Sequence, residues 1–116
     1  MKNVFILLLA MLCAPSTVFA HAHLVSSSPS EGAILSAGPT SLRLTFDEPT
    51  RITVANIQRD SDPKSAIRPL PNQAATSVAL PLPDLGPGAY TITWRAVGAD
   101  HHVMSGTLHF TVGTTR

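Results

Sequence analysis

Beyond residue 20, the periodic segments of this chain alternate apolar and polar residues with a period of two. Leu42, Leu44 and Phe46 alternate with Arg43 and Thr45, and Ile52 and Val54 continue the pattern after a break at Pro49. Tyr90, Ile92, Trp94 and Ala96 alternate with Thr91, Thr93 and Arg95. Leu108, Phe110 and Val112 alternate with Thr107, His109 and Thr111. Successive side chains of a strand point to opposite faces, so each run gathers its β-branched, aromatic and aliphatic groups on one buried face. No segment sustains a helical period. Turn residues punctuate the runs at Ser30-Glu31-Gly32, Gly38-Pro39, Asp47-Glu48-Pro49, Asp62-Pro63 and Leu85-Gly86-Pro87-Gly88. Short strands at this spacing predict an all-β domain, either an antiparallel sandwich or a Greek-key barrel. The polar, proline-rich stretch 59–76 reads as a long connection with room for one edge strand, and no internal repeat or domain boundary is visible.

The first twenty residues have a different character. Lys2 supplies a positive start, Val4 to Cys13 is almost unbroken apolar sequence, and Val18-Phe19-Ala20 ends in the small residue of a cleavage site. These are the parts of a secretory signal peptide. The apolar run is well short of the roughly 20 residues needed to cross a bilayer, and polar turn residues follow it at once. Lipid attachment at Cys13 is the competing fate, but lipoprotein signals place a small residue before the cysteine and Leu12 stands there. The expected division is therefore a leader over 1–20 and one domain over 21–116, exported to the periplasm, with no membrane insertion once the leader is gone. The single cysteine would leave with the leader, so the mature domain has no disulfide and no thiolate. It must rest on its hydrophobic core, which a chain of this length can supply by burying about 60% or more of its unfolded surface. Losing Lys2 takes eight basic side chains to seven, equal to the seven acidic ones, with no basic run. Nucleic acid is therefore a poor partner.

Cleavage after Ala20 has a chemical consequence, because it makes His21 the first residue. A free α-amine and the Nδ1 of the same histidine can grip one metal ion in a six-membered chelate ring. His23 follows two positions later, on the same face of an extended strand. Far along the chain, Asp100-His101-His102 follows the strand that ends near Val97. In a strand-like conformation Asp100 and His102 would share a face, with His101 turned away. Amine, imidazoles and a carboxylate suit Cu(II), and Zn(II) accepts many of the same donors. The Irving–Williams order favours Cu(II). These groups include four of the five histidines; the fifth, His109, lies on the polar face of the last strand as an ordinary exposed residue. With the leader gone only Met104 remains of the methionines, and its position reads as packing, so a dedicated Cu(I) site is not expected. A second copper mode stays open from the sequence. In His21-Ala22-His23 the amine, two deprotonated backbone amides and the His23 imidazole could wrap Cu(II) in a plane without any fold at all.

These residues resemble the CopC family of periplasmic copper-resistance proteins, also called PcoC-like. The likeness opens with HAHLVSSSP from His21, continues through LRLTFDEP from Leu42, and is strongest over GAYTITWRAVGADHHVMSGTLHFTV from Gly88. It covers essentially the whole chain after the leader. The resemblance implies a seven-stranded Greek-key sandwich or barrel, cupredoxin-like or immunoglobulin-like, that binds one Cu(II) per chain at one end. By position the ligands would be His21, Asp100 and His102. His23 matches the extra histidine of members that begin His-x-His, and Glu48 stands where a family glutamate lies near the copper, as weak ligand or hydrogen-bond acceptor. The resemblance also implies a CopD-type inner-membrane copper protein as partner. The methionine-rich loop of founding members, which would fall in 59–76, has no methionine here, so a single-site Cu(II) protein is expected.

Two other functions compete. A copper-dependent monooxygenase of the N-terminal-histidine type shares the histidine brace only. Such an enzyme needs exposed aromatics for its polysaccharide, whereas Phe46, Tyr90, Trp94 and Phe110 all fall at inward strand positions. A structural immunoglobulin-like module would suit Trp94 and would show no stoichiometric, fold-dependent copper binding. The expected protein is a copper carrier or sequestering protein and not an enzyme.

Overall fold

The structure, a computed structural model, describes residues 23–114. The leader and His21 lie outside the described residues. Seven strands follow one another: β1 (Leu24–Ser28), β2 (Ala33–Leu35), β3 (Ser41–Arg59), β4 (Ser65–Ala66), β5 (Ala75–Pro81), β6 (Gly88–Gly98) and β7 (Val103–Val112). No helix among the described residues is long and apolar enough to cross a membrane. The sheet runs in the order β1-β3-β6-β7-β2, with β4 and β5 also paired to β3. Every pairing is antiparallel except β2 with β7, which is parallel. The all-β sandwich or barrel is thus observed, with one parallel edge that periodicity does not reveal.

β3 organises the molecule. Its first part, up to Phe46, lies between β1 and β5, with Leu44 opposite both Ser27 and Val78. Its second part, from Thr50, pairs with β6 from Thr50↔Gly98 to Arg59↔Tyr90. The chain therefore changes neighbours across Asp47-Glu48-Pro49. Proline lacks the N–H that a ladder needs, so it is tolerated where pairing is handed from one neighbour to another. Thr50, fully buried at 0% exposure, spends its hydroxyl on the Glu48 carbonyl at 2.9 Å. That bond satisfies a polar group that would otherwise be costly to bury.

The inward positions read from β6 and β7 are those observed. Tyr90, Ile92, Trp94, Ala96, Leu108, Phe110 and Val112 join Leu42, Leu44, Phe46 and Ile52 in one core cluster. Val54 departs from expectation. A register irregularity between Ile52 and Val54 inserts an extra residue, so Val54 is 43% exposed while Ala55 and Ile57 turn inward. A bulge of this kind reverses the parity of every later side chain on the strand. Within the core, Trp94 meets Phe46 edge-on at 5.5 Å and Tyr90 stacks on Phe110 at 5.4 Å. Trp94 is paired across the ladder with Gly106, where a Cβ would overlap the indole ring. A methyl group there would cost about 1–3 kcal/mol through overpacking. The tyrosine is anchored too, its hydroxyl donating to the Gly86 carbonyl at 2.7 Å.

Candidate metal centre

The β6–β7 hairpin places the Asp-x-His segment. Val97↔Val103 is the last ladder pair, and beyond it the Gly98 N–H donates to the His102 carbonyl at 3.1 Å. The His101 N–H in turn donates to the Gly98 carbonyl at 3.0 Å, closing a tight turn. His101 takes a left-handed conformation with φ 68°, the last step of a three-residue hairpin loop. Asp100 folds back across this loop. One carboxylate oxygen accepts the His102 N–H at 3.1 Å, and the other lies 3.0 Å from His102 Nδ1. The segment is a turn and not a continued strand, but its short side chain still brings Asp100 and His102 together, as aspartates do in local turns.

A second histidine–carboxylate pair borders the same crossover of β3. The His23 N–H donates to Asp47 Oδ1 at 2.7 Å, and the Asp47 N–H donates to the His23 carbonyl at 3.1 Å. His23 Nδ1 faces Asp47 Oδ2 at 3.5 Å, and the imidazole is 68% exposed. Asp47 begins the crossover and Thr50, opposite Gly98 of the hairpin, ends it. At the rise of an extended strand the two points are at most about 10 Å apart along β3. The start of β1 and the β6–β7 loop therefore occupy one end of the molecule.

Among the described residues, no group of three or more His, Cys, Asp or Glu is gathered closely enough to hold a metal ion. Asp100 and His102 are brought together, His23 is brought to Asp47, and His21 lies outside the described residues. Glu48 is half-buried within the crossover between the two pairs. The donor chemistry fits copper. In both pairs a carboxylate faces Nδ1, the arrangement that orients an imidazole so that its other nitrogen can bind a metal, and nitrogen with carboxylate oxygen is a donor set Cu(II) accepts. Asp47 escaped the sequence reading. Its only signal was a place beside the proline break, and its partner depends on the β1–β3 register.

His109 is exposed on β7 as expected, but it is tied down. Its N–H donates to Glu31 Oε1 at 2.9 Å, its Nδ1 lies 3.0 Å from Glu31 Oε2, and its carbonyl accepts the Gly32 N–H at 2.7 Å. The backbone and ring hydrogen bonds from His109 hold the Glu31 carboxyl below its usual value of 4.5. Met104 packs against the core.

Comparison with known proteins gives a consistent picture. A family model described as the CopC domain matches residues 24–113. The chain is 34% identical to the copper transport protein CutJ of Bacillus subtilis over 93% of its own length, but spans only 21% of that protein. It is also 34% identical to copper resistance protein C of Pseudomonas syringae pv. tomato, covering 80% of this chain and 81% of that one. Among solved structures, CopC from Methylosinus trichosporium OB3b superposes with a TM-score of 0.70 at 22% identity, over 83% of this chain and 97% of that one. That likeness concerns the fold.

Proposed function

Since this chain belongs to the CopC family of copper-resistance proteins, we propose that it carries or sequesters a single Cu(II) ion in the periplasm. As a member of that family it handles copper and is not an enzyme. The leader over 1–20 is removed, and the domain over 21–116 begins at His21. Copper is then held by the His21 α-amine and imidazole, by Asp100 and by His102. His23 is an auxiliary ligand, and Glu48 is a weak ligand or a hydrogen-bond acceptor beside the ion. Copper is cargo here, so the protein has to bind it and give it up without chemical change.

The observation that carries this reading is the Asp100–His102 pair, held at 3.0 Å in a hairpin loop at the end of the molecule where β1 begins. His23, two residues after the proposed start, pairs with Asp47 at the same crossover of β3 that this loop borders. Four donors in a plane are what Cu(II) favours. The two donors of His21 come from one residue and need no fold. The other two come from a loop nearly eighty positions away and do. A CopD-type inner-membrane copper protein is the partner that the family resemblance implies, and CutJ, a longer protein named for copper transport, contains a match to this chain over about a fifth of its length.

The test uses the exported protein, whose intact mass gives its first residue. We expect a start at His21, and a Cu(II) EPR spectrum that changes, with weakened binding, in His102→Ala. A start at Cys13 with added lipid mass, or a His102→Ala variant indistinguishable from wild type, would overturn the site.

A further inference from the structure

The sequence admits two ways of holding Cu(II) at its N-terminus, and the geometry of Asp47 discriminates between them. In the planar mode, the ion would be wrapped by the amine, the Ala22 and His23 amide nitrogens and the His23 Nδ1. Two of those four donors, the amide nitrogen and Nδ1, belong to His23. In the folded protein both face one carboxylate: the His23 N–H donates to Asp47 Oδ1 at 2.7 Å and Nδ1 lies 3.5 Å from Asp47 Oδ2. The His23 carbonyl is held as well, by the Asp47 N–H at 3.1 Å. Residue 23 is thus pinned on both sides of its Cα, and the next residue enters the ladder as Leu24↔Phe46.

Copper can take the His23 amide nitrogen only by breaking a short hydrogen bond to a carboxylate, which is among the stronger kinds. It must also bend the chain away from the extended path that β1 begins. We propose that Asp47 is a positioning residue that withholds His23 from the planar tripeptide chelate. The ion is thereby directed to the site that the fold builds from His21, Asp100 and His102. This rests on the copper reading above and adds a specificity determinant to it. The carboxylate leaves His23 Nε2 unengaged by these contacts, so the auxiliary role of the imidazole survives while the planar mode does not. The carboxylate also acts at a distance from the metal, through His23 alone.

Spectroscopy separates the two modes, because they present different atoms to copper. The built site supplies three in-plane nitrogens and a carboxylate oxygen, with the auxiliary His23 imidazole off that plane, while the planar mode supplies four in-plane nitrogens, two of them strong-field amides. The experiment loads the processed protein, beginning at His21, with one equivalent of Cu(II) alone and records EPR and visible absorption. In Asp47→Ala we expect the d–d absorption to move to shorter wavelength and the EPR superhyperfine pattern to become that of four nitrogens. Asp47→Asn keeps an oxygen that can accept the His23 N–H, so it should retain the wild-type spectrum. Adding His23→Ala to Asp47→Ala removes the planar mode and should bring the wild-type type of spectrum back. Asp47→Ser repeats the test should the alanine variant fail to fold by circular dichroism. If His102→Ala alters the wild-type spectrum while Asp47→Ala and Asp47→Ser leave it unchanged, the copper site stands and the role of Asp47 is wrong. If wild type already shows four nitrogens and His102→Ala is silent, the copper reading itself has failed and Asp47 goes with it.

Discussion

Three histidines of this protein are held in the same way, yet they lie in two regions with different consequences. His23, His102 and His109 each donate a backbone N–H to one oxygen of a carboxylate whose other oxygen faces Nδ1. The first two sit at the end where β3 changes neighbours, close to where the mature chain would begin. His109 lies seven residues beyond His102, roughly 20 Å along β7, where its carboxylate comes from the turn before β2. There the pair joins a turn to a strand, and nothing else with metal-binding chemistry is gathered around it among the described residues. A carboxylate-oriented imidazole is therefore not in itself a metal site. What sets the crossover end apart is that two such pairs border one stretch of β3, and that under the proposed processing the chain would start there with two nitrogen donors of its own.

That contrast can be broken most directly by removing one histidine from each region. His102→Ala should lower Cu(II) affinity by more than about 100-fold, since altering even the residues behind a metal ligand costs some 10–100-fold. His109→Ala should leave affinity unchanged in the same titration. Equal losses from the two variants would erase the distinction. Next in size is the chain start. A protein carrying one additional residue before His21 loses the amine from the chelate ring, and competition against a copper chelator should show about a 10–100-fold weaker complex. An unchanged affinity would mean that the amine contributes nothing.

Acidity sharpens the contrast further, because it acts on the two regions for different reasons. Imidazole and amine nitrogens bind metal only without their protons, so affinity should fall as pH drops from about 7.5 toward about 5. The slope approaches about tenfold per pH unit for each proton displaced. A flat profile in isothermal titration would contradict nitrogen ligation. The smallest effect belongs to the His109–Glu31 pair. Because the folded protein lowers the Glu31 pKa, its contribution to stability is present above the usual carboxylate value of 4.5 and disappears as pH falls through the lower, folded value. Glu31→Gln should thus lower Tm slightly at neutral pH, and the gap from wild type should close in strongly acidic buffer. A gap that widened on acidification would reverse the sign of the coupling.

Much of this architecture is legible in one dimension. Strict alternation from Tyr90 to Ala96 and from Leu108 to Val112 identifies the inward face of β6 and β7 residue by residue, because a half-buried strand leaves no other way to arrange its side chains. The likeness to the CopC family was carried by the same segments, from the tryptophan strand through Asp100, His102 and the following Ser105-Gly106. Gly106 is explained only in three dimensions, as the place where Trp94 lies against the neighbouring strand.

Other features depended on contacts between distant residues. Val54 was read as inward, but the bulge after Ile52 turned it out; a single inserted residue changes parity without leaving a mark in composition. The parallel β2–β7 pairing joins segments more than seventy positions apart, where local pattern carries no information about direction. The candidate site divides along the same line. Residue types and the expected leader boundary, both local properties, point to His21, His23, Asp100 and His102 as candidate donors. The partner of His23 depended on the register of β1 against β3, and so it was the tertiary structure that chose Asp47. Hydrophobic periodicity acts over a few residues and can be read from the chain, whereas a hydrogen bond spanning twenty-four positions exists only once the strands are aligned.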